Sequence, residues 1–227
     1  MKLFKDYQQW TKTKSQKDMT PYDFATNMGV GLTEASEVTN EYKKVIFHHH
    51  PFPRAKIVKE FGDMMFYMSE IANIFQIDLD ELWEAIKCYT EVNMYGVETK
   101  LTDRDNLTLD ELTSLNKSVA DMLAVIRDRH MWSSRGLKTI LANRVRVFLY
   151  SILESQKTIF HLWSISIEEV LETNIKKLNT RYPDGFSAEA SIARVDTEGV
   201  DFCEMTVALV IDFLNRGKIK QSDLTND

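Results

Sequence analysis

The chain is poor in residues that break regular structure: 8 glycines and 4 prolines among 227 residues. With Leu, Glu, Lys and Met abundant and little sustained period-2 alternation, that scarcity argues against a sheet-rich protein and for a mostly helical one. A weak strand candidate near residues 95–101 is the single exception. Cysteine is nearly absent. Cys88 and Cys203 stand alone with no CxxC spacing, which argues against a disulfide framework and a cysteine-based zinc site. No stretch approaches the roughly 18 apolar residues that a membrane span needs. The leading Met1-Lys-Leu-Phe-Lys-Asp6 lacks the apolar run of a signal peptide. A cytoplasmic protein with no membrane partner is therefore expected. Positive charge is not in excess either: 28 Lys and Arg against 34 Asp and Glu leave a net charge of −6. Nonspecific binding to nucleic acid is disfavoured on that balance.

What is present is an ordinary globular composition, 44% hydrophobic and 27% charged, long enough for one large domain or two small ones. Two acidic pairs stand out, Glu34 with Glu37 and Glu60 with Asp63. Residues three apart share a helix face. The flanking apolar positions, Met28 and Leu32 for the first pair and Ile57, Phe61, Met64, Met65 and Met68 for the second, recur at helical spacing. Carboxylates bordering a core-facing stripe are costly unless a positive group meets them. Hard divalent cations take oxygen ligands, and Mg²⁺ combines carboxylates with waters and phosphate oxygens. A metal site between two antiparallel helices is the first expectation. Its bland competitor is a pair of solvated acidic faces.

In chain order, a short helix is expected within residues 1–16. A second starts at Thr20-Pro21, read as N-cap and first helical position, and runs to about Phe47 with a bend at Gly29 and Gly31. His48-His-His50 and Pro51-Phe-Pro53 break it; adjacent histidines converge poorly on one ion and suit a helix C-terminus better. Helices follow at about 54–76, 79–94, 108–130, 135–162 and 166–180, with Asp78 as an N-cap. Asn93–Gly96 and Thr102–Asp105 form a linker. The stripe Leu141, Val145, Phe148, Leu149, Ile152, Ile159 and Leu162 marks the long helix. A final apolar helix is expected from Val200 to Leu214, with a polar tail behind it.

Ile77-Asp-Leu-Asp-Glu-Leu-Trp-Glu84 resembles Ile165-Ser-Ile-Glu-Glu-Val-Leu-Glu172. The shift that aligns them sets Phe148 and Ser151 opposite Glu60 and Asp63, and Met122 and Val125 opposite Glu34 and Glu37. A second copy, if it is one, has lost all four acids. It carries instead the basic segment Asn174-Ile-Lys-Lys-Leu-Asn-Thr-Arg-Tyr-Pro183. A shared amphipathic pattern arising by chance is the competing explanation.

Glu34-Ala-Ser-Glu37, Glu60-Phe-Gly-Asp63 and that basic segment together resemble the MazG-like all-α nucleoside triphosphate pyrophosphohydrolases. The family's EExxE…ExxD signature departs here at its first acid, which is Thr33. The N-x-x-K-L-x-x-R-Y-P match is close, although compact members place it soon after the ExxD helix. The resemblance spans about 20–90 and 150–192. It implies an antiparallel all-α bundle of the NTP pyrophosphatase type with a degenerate internal duplication. Residues 1–98 would form the acidic unit, 99–192 the degenerate unit ending in the basic segment, and 193–227 a C-terminal helix and tail. It further implies Mg²⁺, or Mn²⁺, held by Glu34, Glu37, Glu60 and Asp63, with Glu37 and Glu60 as catalytic candidates. Asn174, Lys177, Arg181 and Tyr182, and Lys44 from the first unit, would contact a nucleoside triphosphate. Cleavage between the α and β phosphates and a homodimer are implied as well. The alternatives are a dimeric dUTPase-like enzyme, since such relatives carry a duplicated helical unit, and a catalytically decayed helical interaction module. A carboxylate-bridged di-iron bundle needs Glu-x-x-His pairs, and none of the five histidines has Glu three residues before it. Trp83, Trp132, Trp163 and Phe47 are candidate stacking groups, or simply core.

Overall fold

A computed structural model describes residues 3–16, 18–86 and 101–193. Among these every regular element is helical, in the order α1 (Leu3–Thr11), α2 (Pro21–Gly31), α3 (Ala35–His48), α4 (Arg54–Phe75), α5 (Leu79–Ala85), α6 (Asp103–Arg127), α7 (Arg135–Trp163), α8 (Ile167–Arg181) and α9 (Ala188–Ala193). Short 3₁₀ turns lie at Leu32–Glu34 and Arg129–Trp132. No helix among the described residues is long and apolar enough to cross a membrane. The expected helix Val200–Leu214, the tail, residues 87–94 and strand positions 95–100 lie outside the described residues; α5 itself ends at Ala85, where Ile86 turns extended, and so stops short of the helix expected over 79–94.

Caps explain most boundaries. The Thr20 side chain accepts from the Asp23 N–H with Pro21 at the first position, as expected. The helix that follows does not run unbroken to Phe47. It tightens into a 3₁₀ turn directly after Gly31 and resumes as α3. It ends where His49 takes a left-handed conformation, φ 56°. Thr102–Asp105, expected as linker, instead begins α6. The Thr102 hydroxyl accepts from the Asp105 N–H and the Asp105 carboxylate accepts from the Thr102 N–H, a reciprocal capping box. That box moves the start of the helix several residues ahead of the expected 108.

Helix α4 is the axle of the fold. Ile57, Phe61, Met64, Met65, Met68 and Ile71 are fully buried on it, and α1, α2, α3, α7 and α8 all pack against it. The most extensive helix pair is α6 with α7. Leu141, Val145, Leu149, Ile152 and Ile159 of the anticipated stripe are buried there, with Phe148 and Leu162 partly so. Buried side chains from both halves form one continuous cluster.

The two halves also share a local construction. One shift along the sequence carries Gln76 (φ 56°, ψ 43°) onto Ser164 (φ 53°, ψ 43°), the left-handed residues that end α4 and α7. It carries the N-cap Asp78 onto the N-cap Ser166, and Leu79 onto Ile167 at the next helix start. The Ile77 N–H donates to the Ala72 carbonyl and the Ile165 N–H to the Phe160 carbonyl, each at 2.9 Å, under the same shift. Where α4 carries Asp63, α7 carries Ser151, whose hydroxyl lies 2.9 Å from that of Ser118 on α6.

Candidate active site

A cavity of about 680 Å³ opens between α2, α3, α4 and the end of α8. Glu34, Glu37, Glu60 and Asp63 line it from one side, and Lys177, Arg181 and Tyr182 from the other. The acids converge because Glu34 ends the 3₁₀ turn and Glu37 falls in the first turn of α3, while Glu60 and Asp63 lie one turn apart on the facing α4. Thr33, at the position of the missing acid, turns its hydroxyl back onto the Val30 carbonyl at 2.7 Å.

Close helix approach brings the basic segment to the acids. Gly62, beside Asp63, has no side chain; a Cβ there would lie 3.0 Å from the Asn174 Cβ and 3.3 Å from the Val170 carbonyl oxygen. Without that bulk α8 sits against α4, and two of its residues reach one carboxylate. Lys177 donates to Asp63 Oδ2 in a mostly buried ion pair. Asn174 Nδ2 donates to Asp63 Oδ1 at 3.0 Å, across 111 residues of sequence. Tyr182 ends α8, its N–H donating to the Leu178 carbonyl at 2.8 Å. Its own carbonyl accepts from the buried Lys14 ammonium at 2.7 Å.

The acids crowd one another. Burial, then the neighbouring Asp63 and Glu34 carboxylates, push the Glu60 carboxyl up to about 7, and Lys177 offsets only part of this. The Tyr67 phenol is pushed up to about 12 by burial and by Asp63 and Glu34. An oxygen-only donor set with surplus negative charge matches the chemistry of a hard divalent cation. No group of three His, Cys, Asp or Glu side chains among the described residues is disposed to hold a metal as it stands. Asp63 is engaged by Lys177 and Asn174. The residue types fit the ion: four carboxylates line one cavity and offer the oxygen donors that such a cation takes.

Two expected contacts fall elsewhere. Asn174 is 1% exposed and lies behind Asp63 rather than on the cavity wall. Lys44 does not line the cavity; its ammonium donates to Glu41 Oε1 at 2.7 Å, an oxygen it shares with Lys56 at 2.8 Å. The expected stacking groups are core or surface. Trp163 packs with Tyr42 and Phe61, Trp83 with Phe4, and Trp132 with Tyr22 and Phe75, while Phe47 is exposed away from the cavity. Lys59, Phe66, Tyr67 and Phe186 also line the cavity, beyond the residues that the sequence pattern indicates. Lys59, Phe66 and Tyr67 were within reach of it, since they lie one to four residues from the acids on α4. Gly31 makes room for Tyr67: a Cβ there would fall 2.4 Å from the tyrosine ring.

No protein family, curated protein or solved structure matches the chain.

Proposed function

We propose that the cavity binds a nucleoside triphosphate together with Mg²⁺ and hydrolyses it to the monophosphate and pyrophosphate, in an all-α bundle of the NTP pyrophosphatase type. The observation that carries this reading is the meeting of four carboxylates, from the 3₁₀ turn before α3, from α3 and from α4, with Lys177 and Arg181 of α8 around one cavity. Glu34, Glu37, Glu60 and Asp63 would hold the ion, whose chemistry there is to neutralise charge that develops on phosphate oxygens. Lys177 and Arg181, four apart on one face of α8, engage the phosphates, the arginine through its planar fork. Glu37 or Glu60 orients a water and takes its proton as the oxygen attacks phosphorus; the α–β bridging bond breaks and pyrophosphate departs with the electron pair. Tyr67, Tyr182 and Phe186 give the cavity aromatic faces suited to a base.

A second reading, a dUTPase-like enzyme with a duplicated helical unit, is favoured by the repeated cap geometry at Gln76 and Ser164. It shares the chemistry and differs in the base. The test is product identification from a panel of ribo- and deoxyribonucleoside triphosphates with Mg²⁺. Pyrophosphate and monophosphate are expected, with Glu60→Gln and Asp63→Asn each lowering the rate by ~100-fold or more. A marked preference for dUTP selects the second reading. Orthophosphate as the product, or rates indifferent to both substitutions, overturns the assignment.

A further inference from the structure

Helix α1 reaches the acidic cluster through two hydrogen bonds in series. The Tyr7 hydroxyl, on a side chain only 2% exposed, donates to Asn174 Oδ1 at 2.7 Å. Asn174 Nδ2 then donates to Asp63 Oδ1 at 3.0 Å. An amide presents a carbonyl on one side and an NH₂ on the other, and which side faces Asp63 decides whether it attracts or repels an ionised carboxylate. Two partners settle that choice here. Asp63, paired with Lys177, accepts only, so the NH₂ must face it. The carbonyl is then left pointing at Tyr7, which must donate. Burial, with Asp63 and Glu70 nearby, holds the Tyr7 phenol well above its usual range, so the donor keeps its proton.

We propose that Tyr7 is a positioning residue of the acidic site, locking the Asn174 amide so that Asp63 is held in a single orientation toward the cavity. Asn174 is then a positioning residue too, with its polar atoms committed to Tyr7 and Asp63 rather than to substrate. The inference rests on the reading of Asp63 as a Mg²⁺ ligand, and it extends that reading to a helix outside the acid and basic motifs. Groups that hydrogen-bond a metal ligand from behind typically change metal affinity by ~10- to 100-fold when removed.

Tyr7→Phe keeps the ring and removes only the hydroxyl; Asn174→Leu keeps similar volume and removes the amide. The full chain, these two variants and the double variant are titrated with Mg²⁺ alone by calorimetry. The Asn174 side-chain NH₂ is followed in parallel by ¹⁵N NMR in the parent and Tyr7→Phe. Tyr7→Phe is expected to weaken Mg²⁺ binding ~10-fold or more and to shift the Asn174 amide signals. In the Asn174→Leu background it should add nothing, because Tyr7 acts only through Asn174. A merely structural tyrosine would give additive losses. Unchanged amide signals, an unchanged Mg²⁺ affinity in Tyr7→Phe, or additive losses in the double variant overturn the proposal. Failure of the metal-site reading looks different: the parent itself then shows no Mg²⁺ binding, whatever the amide signals do, and both inferences fall at their shared premise.

Discussion

Glu60 carries the electrostatic strain of the site. Its carboxyl is raised from 4.5 to about 7 chiefly by burial and then by Asp63 and Glu34. A carboxyl raised on folding holds a proton that the unfolded chain would release, so its contribution to stability is complete below about pH 4.5 and is lost as pH rises through about 7. Metal-free protein is therefore expected to lose thermal stability between pH 5 and 8, by ~1–2 kcal/mol after allowance for solvent screening of this partly buried group. Glu60→Gln should flatten the profile, and Mg²⁺ should raise Tm more at pH 8 than at pH 5.5. Thermal melts across that range, with and without Mg²⁺, measure all three. A flat profile in the parent would show that Glu60 is not under the pressure described.

At the scale of elements, α1 is fastened by polar contacts at both ends. The buried Asp80 of α5 accepts from the Phe4 and Lys5 N–H groups at 3.0 and 2.9 Å, satisfying donors that the first turn of α1 leaves unpaired. Beyond its last turn, Lys14 donates to the Tyr182 and Pro183 carbonyls. Asp80→Ala removes a charged cap and is expected to cost ~2 kcal/mol, lowering Tm by ~4–8 °C. The weakened α1 should also carry Tyr7 with it, so Mg²⁺ affinity falls alongside stability. Melting and Mg²⁺ titration of this variant check both, and loss of stability with Mg²⁺ binding intact would separate α1 from the site.

Local signals and distant ones differ in how legible they are. Thr20-Pro21 and Asp78 are caps, and each did in the structure what its chemistry suggested. The Thr102–Asp105 box is just as local but ambiguous in sequence, because Thr and Asp suit a turn as well as a helix cap. The break after Gly31 was half visible: the glycine marked the place, but the 3₁₀ turn that follows depends on packing against α4 and α6. The acid pairs and the basic segment were legible as patterns. That Asn174 would face Asp63 and Tyr7 was not, since it depends on how closely α8 approaches Gly62. Lys44 lies off the cavity wall for a related reason. A nearer buried acid, Glu41, claimed it before any cavity could.

For the molecule as a whole, acids from α3 and α4 in the first half and cations from α8 in the second share one cavity, and one run of buried side chains links the halves that supply them. The proposed function requires both ends of that cavity to act on one bound nucleotide. Calorimetric titration of the full chain with an α,β-imido nucleoside triphosphate, with Mg²⁺ and then with chelator, tests it most directly. Binding should require Mg²⁺, and should weaken by ~10-fold or more in Asp63→Asn and by ~10-fold in Arg181→Ala. Nucleotide binding that ignores Mg²⁺, or that responds to changes at only one end of the cavity, would contradict it.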